Sequence, residues 1–196
     1  MFDDIIKKMA FNKSFINGDL TLFVDKRGFE TINGNKHFVT GDIRNVVYTD
    51  TNKICKNCFF FDSMFNAVCF FKINTHFLND NSIILICGKI FEEKFATLLR
   101  EFTNKSIRYI FCFPNETLGR ILTIKYILFL NGFSSSVIID EEDRIRFSYG
   151  DHRLSFKNQE IKPYMIIRRL SFENFYFDIL TPSRDINDFK NNFGYL

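Results

Sequence analysis

Three short apolar runs alternate with helical patterns in the middle of the chain. The runs are Cys58–Phe61, Ser82–Cys87 and Ile107–Phe113. Each is continuous and bounded by polar residues, which is typical of strands buried on both faces of a parallel sheet. Between the second and third runs, apolar residues from Phe91 to Phe102 recur at helical spacing and predict an amphipathic helix. This alternation predicts consecutive βαβ crossovers.

The segment before this core predicts a short helix and a small antiparallel meander. Roughly the first 15 residues have apolar side chains at helical spacing. Leu20–Asp25 and Lys36–Thr40 predict two strands, because β-forming residues are separated there by turn residues. Arg44–Thr49 predicts a third strand of the same meander.

After the core, Ser135–Ile139 predicts a fourth strand of the parallel sheet. Arg144–Ser148 and Arg153–Phe156 flank a turn sequence and predict a hairpin. The tail from Pro163 is predicted to be a strand through about Leu170 and a helix beyond it. A last short helix is predicted from residue 184 to residue 193.

The chain has 196 residues, which suffices for one well-buried domain and gives no reason to expect two. The predicted fold class is α/β, with a mainly parallel four-stranded sheet, helices on both faces, an N-terminal antiparallel meander and a C-terminal hairpin. The predicted division of this single domain is a helix and meander over residues 1–50, an α/β core over 57–140, and a hairpin and tail over 141–196.

Charge and composition narrow the function only slightly. The net charge is +3 and the pI is about 8.5, which is compatible with nucleic-acid binding but too small to argue for it. Basic residues cluster in several places, including Arg144 with Arg146 and His152 with Arg153, whereas acids cluster from Asp140 to Asp143. The simplest interpretation of these clusters is a solvated surface of mixed charge.

No apolar run reaches the roughly 18 residues that a membrane-spanning helix needs, and the N-terminus has no signal-peptide pattern, so a cytoplasmic protein is expected. The five cysteines are an odd number and are expected to be reduced. Cys55 and Cys58 form a lone CxxC pair, and a zinc site there would need two further ligands.

Polar residues follow each of the three buried strands. They are Asp62–Ser63, Gly88–Lys89 and Pro114–Glu116. In parallel sheets, the residues just beyond the carboxyl ends of the strands converge on one crevice, which is the usual place for a ligand or for catalysis.

Two of these segments resemble a known family. Phe59–Val68 is an apolar strand that ends in an acid, and Ile107–Arg120 is a strand followed by an acid and a Gly-Arg helix start. In this order they resemble the Toprim domain of primases, topoisomerases and related nucleases, and most closely the Toprim primase-like proteins of bacterial mobile elements. Ser183–Phe189 resembles the end of that domain, so the resemblance extends over residues 18–193.

The resemblance implies metal-assisted phosphoryl transfer, in which carboxylates hold Mg²⁺. This chain departs from the family pattern at its acids. Asp62 stands where the family has a glutamate, Asn66 where it has the next acid, and Pro114 where it has the first acid of an Asp-x-Asp motif. Asp62 and Glu116 are left as impaired catalytic and metal-binding candidates, and a degenerate site that binds Mg²⁺ weakly at best is predicted.

Each candidate also has a structural explanation. Asp62 is equally well explained as the N-cap of the helix that follows it. Glu116 suits the first turn of its helix through the helix dipole. Gly119 would allow close packing of helix and strand, and Arg120 is as well explained as a solvated helix residue. Lys89 precedes a helix start where a phosphate could bind.

The first functional hypothesis is a catalytically degenerate Toprim-like module of DNA replication, mobilisation or defence that binds nucleic acid or a protein. Lys89, Arg120, Arg168 and Arg169 are its candidate phosphate contacts. The alternatives are an active Mg²⁺-dependent primase or nuclease, assisted by Asp185 or Asp188, and a purely structural oligomerisation protein. No cofactor other than Mg²⁺ is expected. DNA, RNA or a protein is the expected partner, without a membrane, and the oligomeric state is left open.

Overall fold

The computed structural model describes residues 2–16, 19–33, 36–49, 55–79, 81–102, 107–140, 144–157, 161–170 and 177–180. Its helices are α1 (Phe2–Lys8), α2 (Met64–Ile73), α3 (Glu93–Phe102), α4 (Thr117–Leu130) and α5 (Pro163–Leu170), with a 3₁₀ helix at Thr75–Asn79. None of the helices in these ranges has the length and apolar character that crossing a bilayer requires.

The strands of the described residues form three sheets. The first sheet has the order β1-β2-β3-β4 and the third the order β11-β10-β9, while the central sheet has the order β12-β8-β6-β7-β5. The strands are β1 (Asn12–Ile16), β2 (Asp19–Phe23), β3 (Gly28–Asn33), β4 (Lys36–Gly41), β5 (Asn45–Tyr48), β6 (Asn57–Phe61), β7 (Ser82–Ile86), β8 (Arg108–Phe111), β9 (Ser135–Ile139), β10 (Arg144–Tyr149), β11 (His152–Lys157) and β12 (Phe177–Ile179).

The predicted four-stranded, mainly parallel sheet is wrong. The central sheet is five-stranded and mixed: β6 pairs in parallel with β7 and β8, and β12 is parallel to β8, whereas β5 is antiparallel to β7. β9, the predicted fourth strand, pairs instead with β10 in a separate antiparallel sheet. An apolar run shows that a strand will be partly buried but does not identify the strand it pairs with, so periodicity alone misassigned β9.

The first sheet differs from the predicted meander in three strands. β1 and β3 complete a four-stranded antiparallel sheet, although only β2 and β4 were predicted in it. The strand predicted at Arg44–Thr49 is β5, and it leaves the meander to form the edge of the central sheet. Turn residues at Gly28 and Asn33 obscured β3, since both stand at its ends.

The C-terminal tail was predicted in the wrong order. Residues 163–170 form helix α5 and residues 177–179 form strand β12, which is the reverse of the predicted strand and helix. β12 extends the central sheet by pairing with β8, and Arg108 forms an ion pair with Asp178 across this edge. The predicted helix at residues 184–193, Ser183–Phe189, Asp185 and Asp188 all lie outside the described residues.

The layers follow from alternation along the buried strands. In β6, Phe59 and Phe61 pack with α1, α2 and the first sheet, whereas Phe60 points to the other face and packs with α3 and α4. Helix α4 is buried on two sides, because Tyr126 faces the central sheet and Ile124 packs against the third sheet. The third sheet therefore covers α4 with one face and leaves its other face to solvent.

Gly119 in α4 lies against the backbone of Pro114, in the loop after β8. A Cβ added there would lie 2.0 Å from the carbonyl oxygen of Pro114. No side chain fits such a gap, so the loop and the helix can approach this closely only because residue 119 is glycine.

We expect Gly119→Ala to destabilise the protein by about 2 kcal/mol or more, because the clash is with backbone and outweighs the gain in helix propensity of about 1 kcal/mol. Urea unfolding measures the difference, with the exposed neighbour changed in Leu118→Ala as the control. An unchanged or raised stability of Gly119→Ala would show that the helix and the loop are not held at this distance.

Candidate functional site

The carboxyl ends of β6, β7 and β8 lie side by side. Phe59 is paired with Ile84 on one side and with Ile110 on the other, and all three strands run in the same direction. The prediction that these three apolar runs form parallel strands of one sheet is confirmed. The residues that follow these strands, beginning at Asp62, Cys87 and Cys112, therefore share one edge of the sheet.

Asp62 is buried, with 3% of its surface exposed, and the side-chain amide of Asn66 donates a hydrogen bond to its carboxylate. The N-cap of α2 is Ser63, whose Oγ accepts from the backbone N–H of Asn66 at 3.1 Å. The interpretation of Asp62 as the N-cap is therefore wrong. Asp62 lies one residue before the cap, with Asn66 one helical turn beyond it.

Glu116 lies at the N-cap position of α4, where its side chain is exposed and forms no capping hydrogen bond. Within the described ranges, no three His, Cys, Asp or Glu side chains are grouped so that they could hold a metal ion. Mg²⁺ needs a near-octahedral set of oxygen ligands. A buried aspartate bonded to an amide, together with one exposed glutamate, does not fit that requirement.

Arg120 supports the loop before α4. Its Nε donates to the side-chain oxygen of Asn115 at 3.1 Å, and its two terminal nitrogens donate to the carbonyl oxygens of Asn115 and Ile161 at 3.3 and 3.4 Å. Lys89, in contrast, is exposed directly after Gly88. Arg168 is exposed on α5, and the side chain of Arg169 lies outside the described part.

Cys87 and Tyr126 are two buried titratable groups at this edge. Burial raises the pKa of the Cys87 thiol to about 12; the nearby Asp62 carboxylate adds to the shift, whereas a hydrogen bond with Tyr126 opposes it. Burial also raises the pKa of the Tyr126 hydroxyl. Both groups are therefore neutral at physiological pH, and neither is a ready nucleophile or base.

Arg44 crosses the edge just before β5, a position that sequence reasoning did not single out. Its guanidinium forms an ion pair with Glu92 and another with Asp42, the latter at 3.3 Å. Its side chain passes over Gly88, since a Cβ added there would be 3.8 Å from the Cγ of Arg44. Arg44 thus joins the end of the first sheet to the start of α3.

Glu30 was also missed, although it is the fully buried carboxylate of the first sheet. Its Oε1 accepts from the backbone N–H of Met64 at 2.7 Å, and its Oε2 accepts from that of Phe65 at 3.1 Å. The ring nitrogen Nε2 of His37 lies 3.2 Å from Oε2. A carboxylate at a helix N-terminus binds unpaired N–H groups and is favoured by the helix dipole.

We expect Glu30→Ala to lower the free energy of unfolding by about 3 kcal/mol, because two N–H groups would lose their acceptor in a buried position. Glu30→Gln is expected to lower the free energy of unfolding by about 2 kcal/mol. An amide has only one acceptor oxygen, so its NH₂ group would face the other backbone N–H, and two donors would meet. Urea unfolding at neutral pH measures both values, with the exposed Thr40→Ala on β4 as the control. Equal stability of Glu30→Gln and the parent would contradict this role of the charge.

The third sheet carries a group of cations that we call the basic face. Residues that pair across an antiparallel sheet share a face, and Arg144 pairs with Lys157, Arg146 with Ser155, and Ser148 with Arg153. The intervening residues, among them Ile145, Phe147 and Phe156, pack against α4. The basic face therefore presents four cationic side chains to solvent, and they are Arg144, Arg146, Arg153 and Lys157.

Contacts within the basic face are few and superficial. Arg144 donates from Nε to the Oγ of Ser155 at 3.2 Å. Arg146 forms an ion pair with Asp140 at 2.7 Å, with 60% of the arginine side chain exposed. An exposed pair of this kind contributes little and leaves the arginine accessible. Arg153 and Lys157 are exposed and form no ion pair with another described residue.

The sequence contains the signal for this face. Basic and hydroxyl residues alternate with apolar ones from Arg144 to Tyr149 and again from Arg153 to Lys157. Such alternation places one set of side chains on one face of a hairpin. The sequence prediction treats these residues as part of a solvated surface of mixed charge; the register of β10 and β11 shows that the basic residues of the two strands lie opposite each other.

Comparison with known proteins finds no family model that matches the chain and no curated protein that does. One solved structure that aligns with it is the primase fragment of the bacteriophage T7 primase-helicase protein, at 11% identity and a TM-score of 0.43, over 61% of this chain and 54% of that one. Another is a chain from the structure of the bacteriophage T7 lagging-strand DNA polymerase interacting with primase domains of two gp4 subunits bound to an RNA/DNA hybrid and dTTP, at 11% identity and a TM-score of 0.42, over 66% of this chain and 68% of that one.

The chain thus covers about half of the length of the primase fragment, 54%. Both neighbours are described as containing primase parts, but similarity at this level establishes neither a family nor a function for this chain.

Proposed function

We propose that this protein binds the sugar-phosphate backbone of nucleic acid through the basic face and does not itself carry out metal-dependent phosphoryl transfer. The observation that carries the proposal is the register of β10 and β11, which gathers Arg144, Arg146, Arg153 and Lys157 on one solvent-exposed face. The support from the sequence is the resemblance to Toprim domains, which act on nucleic acids in replication, mobilisation or defence.

The chemistry of the basic face suits phosphates. Arginine and lysine neutralise phosphate charge, and serine hydroxyls donate hydrogen bonds to phosphate oxygens. Cations two residues apart on one strand are about 7 Å apart, and neighbouring strands are about 5 Å apart. Cations spaced in this way can contact successive phosphates of a nucleic-acid backbone without contacting the bases. Asp140 forms an ion pair with Arg146 and lowers the positive charge of the face there.

The crevice at the carboxyl ends of the strands supports the second half of the proposal. The buried Asp62 carboxylate accepts a hydrogen bond from the side chain of Asn66. The exposed Glu116 carboxylate lies at the start of α4. The Arg120 guanidinium, a candidate phosphate contact, is occupied by Asn115 and a backbone carbonyl. Phosphoryl transfer needs positioned metal ions and a nucleophile, and these residues supply neither.

Changing two cations of the basic face tests the binding. We expect Arg153→Ala combined with Lys157→Ala to weaken the binding of a DNA oligonucleotide about tenfold at moderate salt. The slope of log affinity against log salt concentration should fall by about 2, because two phosphate contacts are lost. Fluorescence anisotropy over a salt series measures both quantities.

The matched control is Lys7→Ala combined with Lys8→Ala, which removes the same charge from the exposed side of α1. A second comparison is Lys89→Ala combined with Arg168→Ala, the exposed candidates predicted from the sequence. Equal losses in all three double variants would mean that net charge alone attracts DNA. A loss confined to the Lys89 and Arg168 variant would assign binding to those positions instead of to the basic face.

A metal titration tests the absence of catalysis. We expect no saturable binding of Mg²⁺ or Mn²⁺ below about millimolar concentration by calorimetry, and no metal-dependent cleavage or primer synthesis, since too few oxygen ligands converge. Activity that needs Mg²⁺ and disappears in Glu116→Ala, but persists in the exposed control Glu93→Ala, would overturn the proposal. Glu116 is the better position to change, because loss of the buried Asp62 also threatens folding.

A further inference from the structure

The outer face of the first sheet carries three phenylalanines, which we call the aromatic face. Phe23 on β2 pairs directly with Phe29 on β3, and Phe38 on β4 lies diagonally beside Phe29, opposite Thr31. The three rings therefore occupy one continuous part of the sheet.

This face is turned away from the core. On the opposite face, Leu22 and Glu30 are fully buried against the body of the protein. Phe29 is 39% exposed and Phe38 is 52% exposed, although an aromatic ring is favoured inside. Neighbouring apolar rings on a solvent-exposed sheet face mark an interaction surface more often than isolated ones do.

The charges around the rings favour an anionic partner. Lys36 is exposed on the same face of β4, two residues before Phe38, and Lys26 is exposed in the turn before Phe29. Neither lysine forms an ion pair with another residue of the described ranges. The neighbouring acids are engaged, since Asp25 is bound by Arg27 at 2.6 Å and Asp42 by Arg44.

A single carboxylate of the described residues shares the aromatic face. It is Asp19, which lies at the opposite end of β2 from Phe23. The surroundings of Phe29 and Phe38 are therefore aromatic and cationic, with hydroxyl groups from Thr31 and Thr40 between them.

We infer that the aromatic face binds unpaired bases of single-stranded nucleic acid by stacking. Every base has a π-face, so rings on a β-sheet hold a single strand with little sequence preference, and nearby lysines follow its backbone. A duplex keeps its bases stacked inside and cannot use such rings. The inference rests on the proposed function, because it assumes a nucleic-acid partner, and it adds a preference for unpaired strands.

The test replaces the rings without removing apolar character. We expect Phe29→Leu combined with Phe38→Leu to bind a single-stranded oligonucleotide about tenfold more weakly than the parent, because stacking on each ring is lost. Duplex affinity and the salt slope should be unchanged, since no cation is removed. Fluorescence anisotropy with matched single-stranded and duplex probes measures the ratio.

An oligonucleotide with abasic sites in place of bases supplies the second probe. The parent should lose about as much affinity for it as the double variant loses for the intact strand, and the double variant should not distinguish the two strands. Equal affinity of parent and variant for the intact strand would overturn the stacking role. Binding through the basic face is judged separately, by the effect of Arg153→Ala with Lys157→Ala on the duplex.

Sedimentation of the parent tests whether a second copy of this chain binds the aromatic face instead. A parent that self-associates, with a Phe29→Leu and Phe38→Leu variant that is monomeric, would assign the aromatic face to contact between copies and would overturn the inference. The far-ultraviolet spectrum and thermal midpoint of the variant should match those of the parent, because leucine preserves most of the apolar surface of these exposed positions.

Discussion

The arrangement of the first sheet against the core depends on the hydrogen bonds that the Glu30 carboxylate accepts from α2. The carboxylate extends from β3 to the first turn of α2 and accepts two backbone N–H groups there. Taking a charge fully out of water is costly unless it is hydrogen-bonded, so this carboxylate is satisfied only when sheet and helix are docked. The docking also fixes the turn at Asp62 and Ser63, where β6 passes into α2.

Helix α4 imposes the second constraint. Its sequence is apolar nearly all round, so one covered side would leave Ile124 and Leu128 in water. The third sheet supplies the missing cover with the apolar face of β10 and β11. Because side chains alternate in a strand, covering α4 with one set of residues presents the other set to solvent. The position of the basic face is therefore a consequence of how α4 is buried.

The features that could be predicted from the sequence are those set by residues close together along the chain. The strands β6, β7 and β8 follow from continuous apolar runs, and the shared edge after Asp62 follows from their order. Contacts between residues distant in sequence cannot be predicted in this way. Nothing near Glu30, for example, indicates that it binds a helix that begins at residue 64. β9 was misassigned for the same reason. Sequence reasoning placed its candidates where strands end. It did not single out the basic face, which depends on strand register, or Glu30, which binds a remote helix.

The crevice at the carboxyl ends of the strands is the usual ligand site of an α/β sheet. In this protein, the surfaces that are open to a large ligand lie elsewhere, on the basic face and the aromatic face. At the carboxyl ends of the strands, Arg44 is held by Glu92 and Arg120 by Asn115, so both guanidinium groups are committed to the fold. The basic face and the aromatic face lie instead on two antiparallel sheets, whose opposite faces pack against the core through Ile145 and Phe147 in one and Leu22 in the other. A strand can bury one set of side chains and expose the next at no cost in packing. In the proposed function the ligand binds on those two faces, and the residues of the crevice contribute to stability.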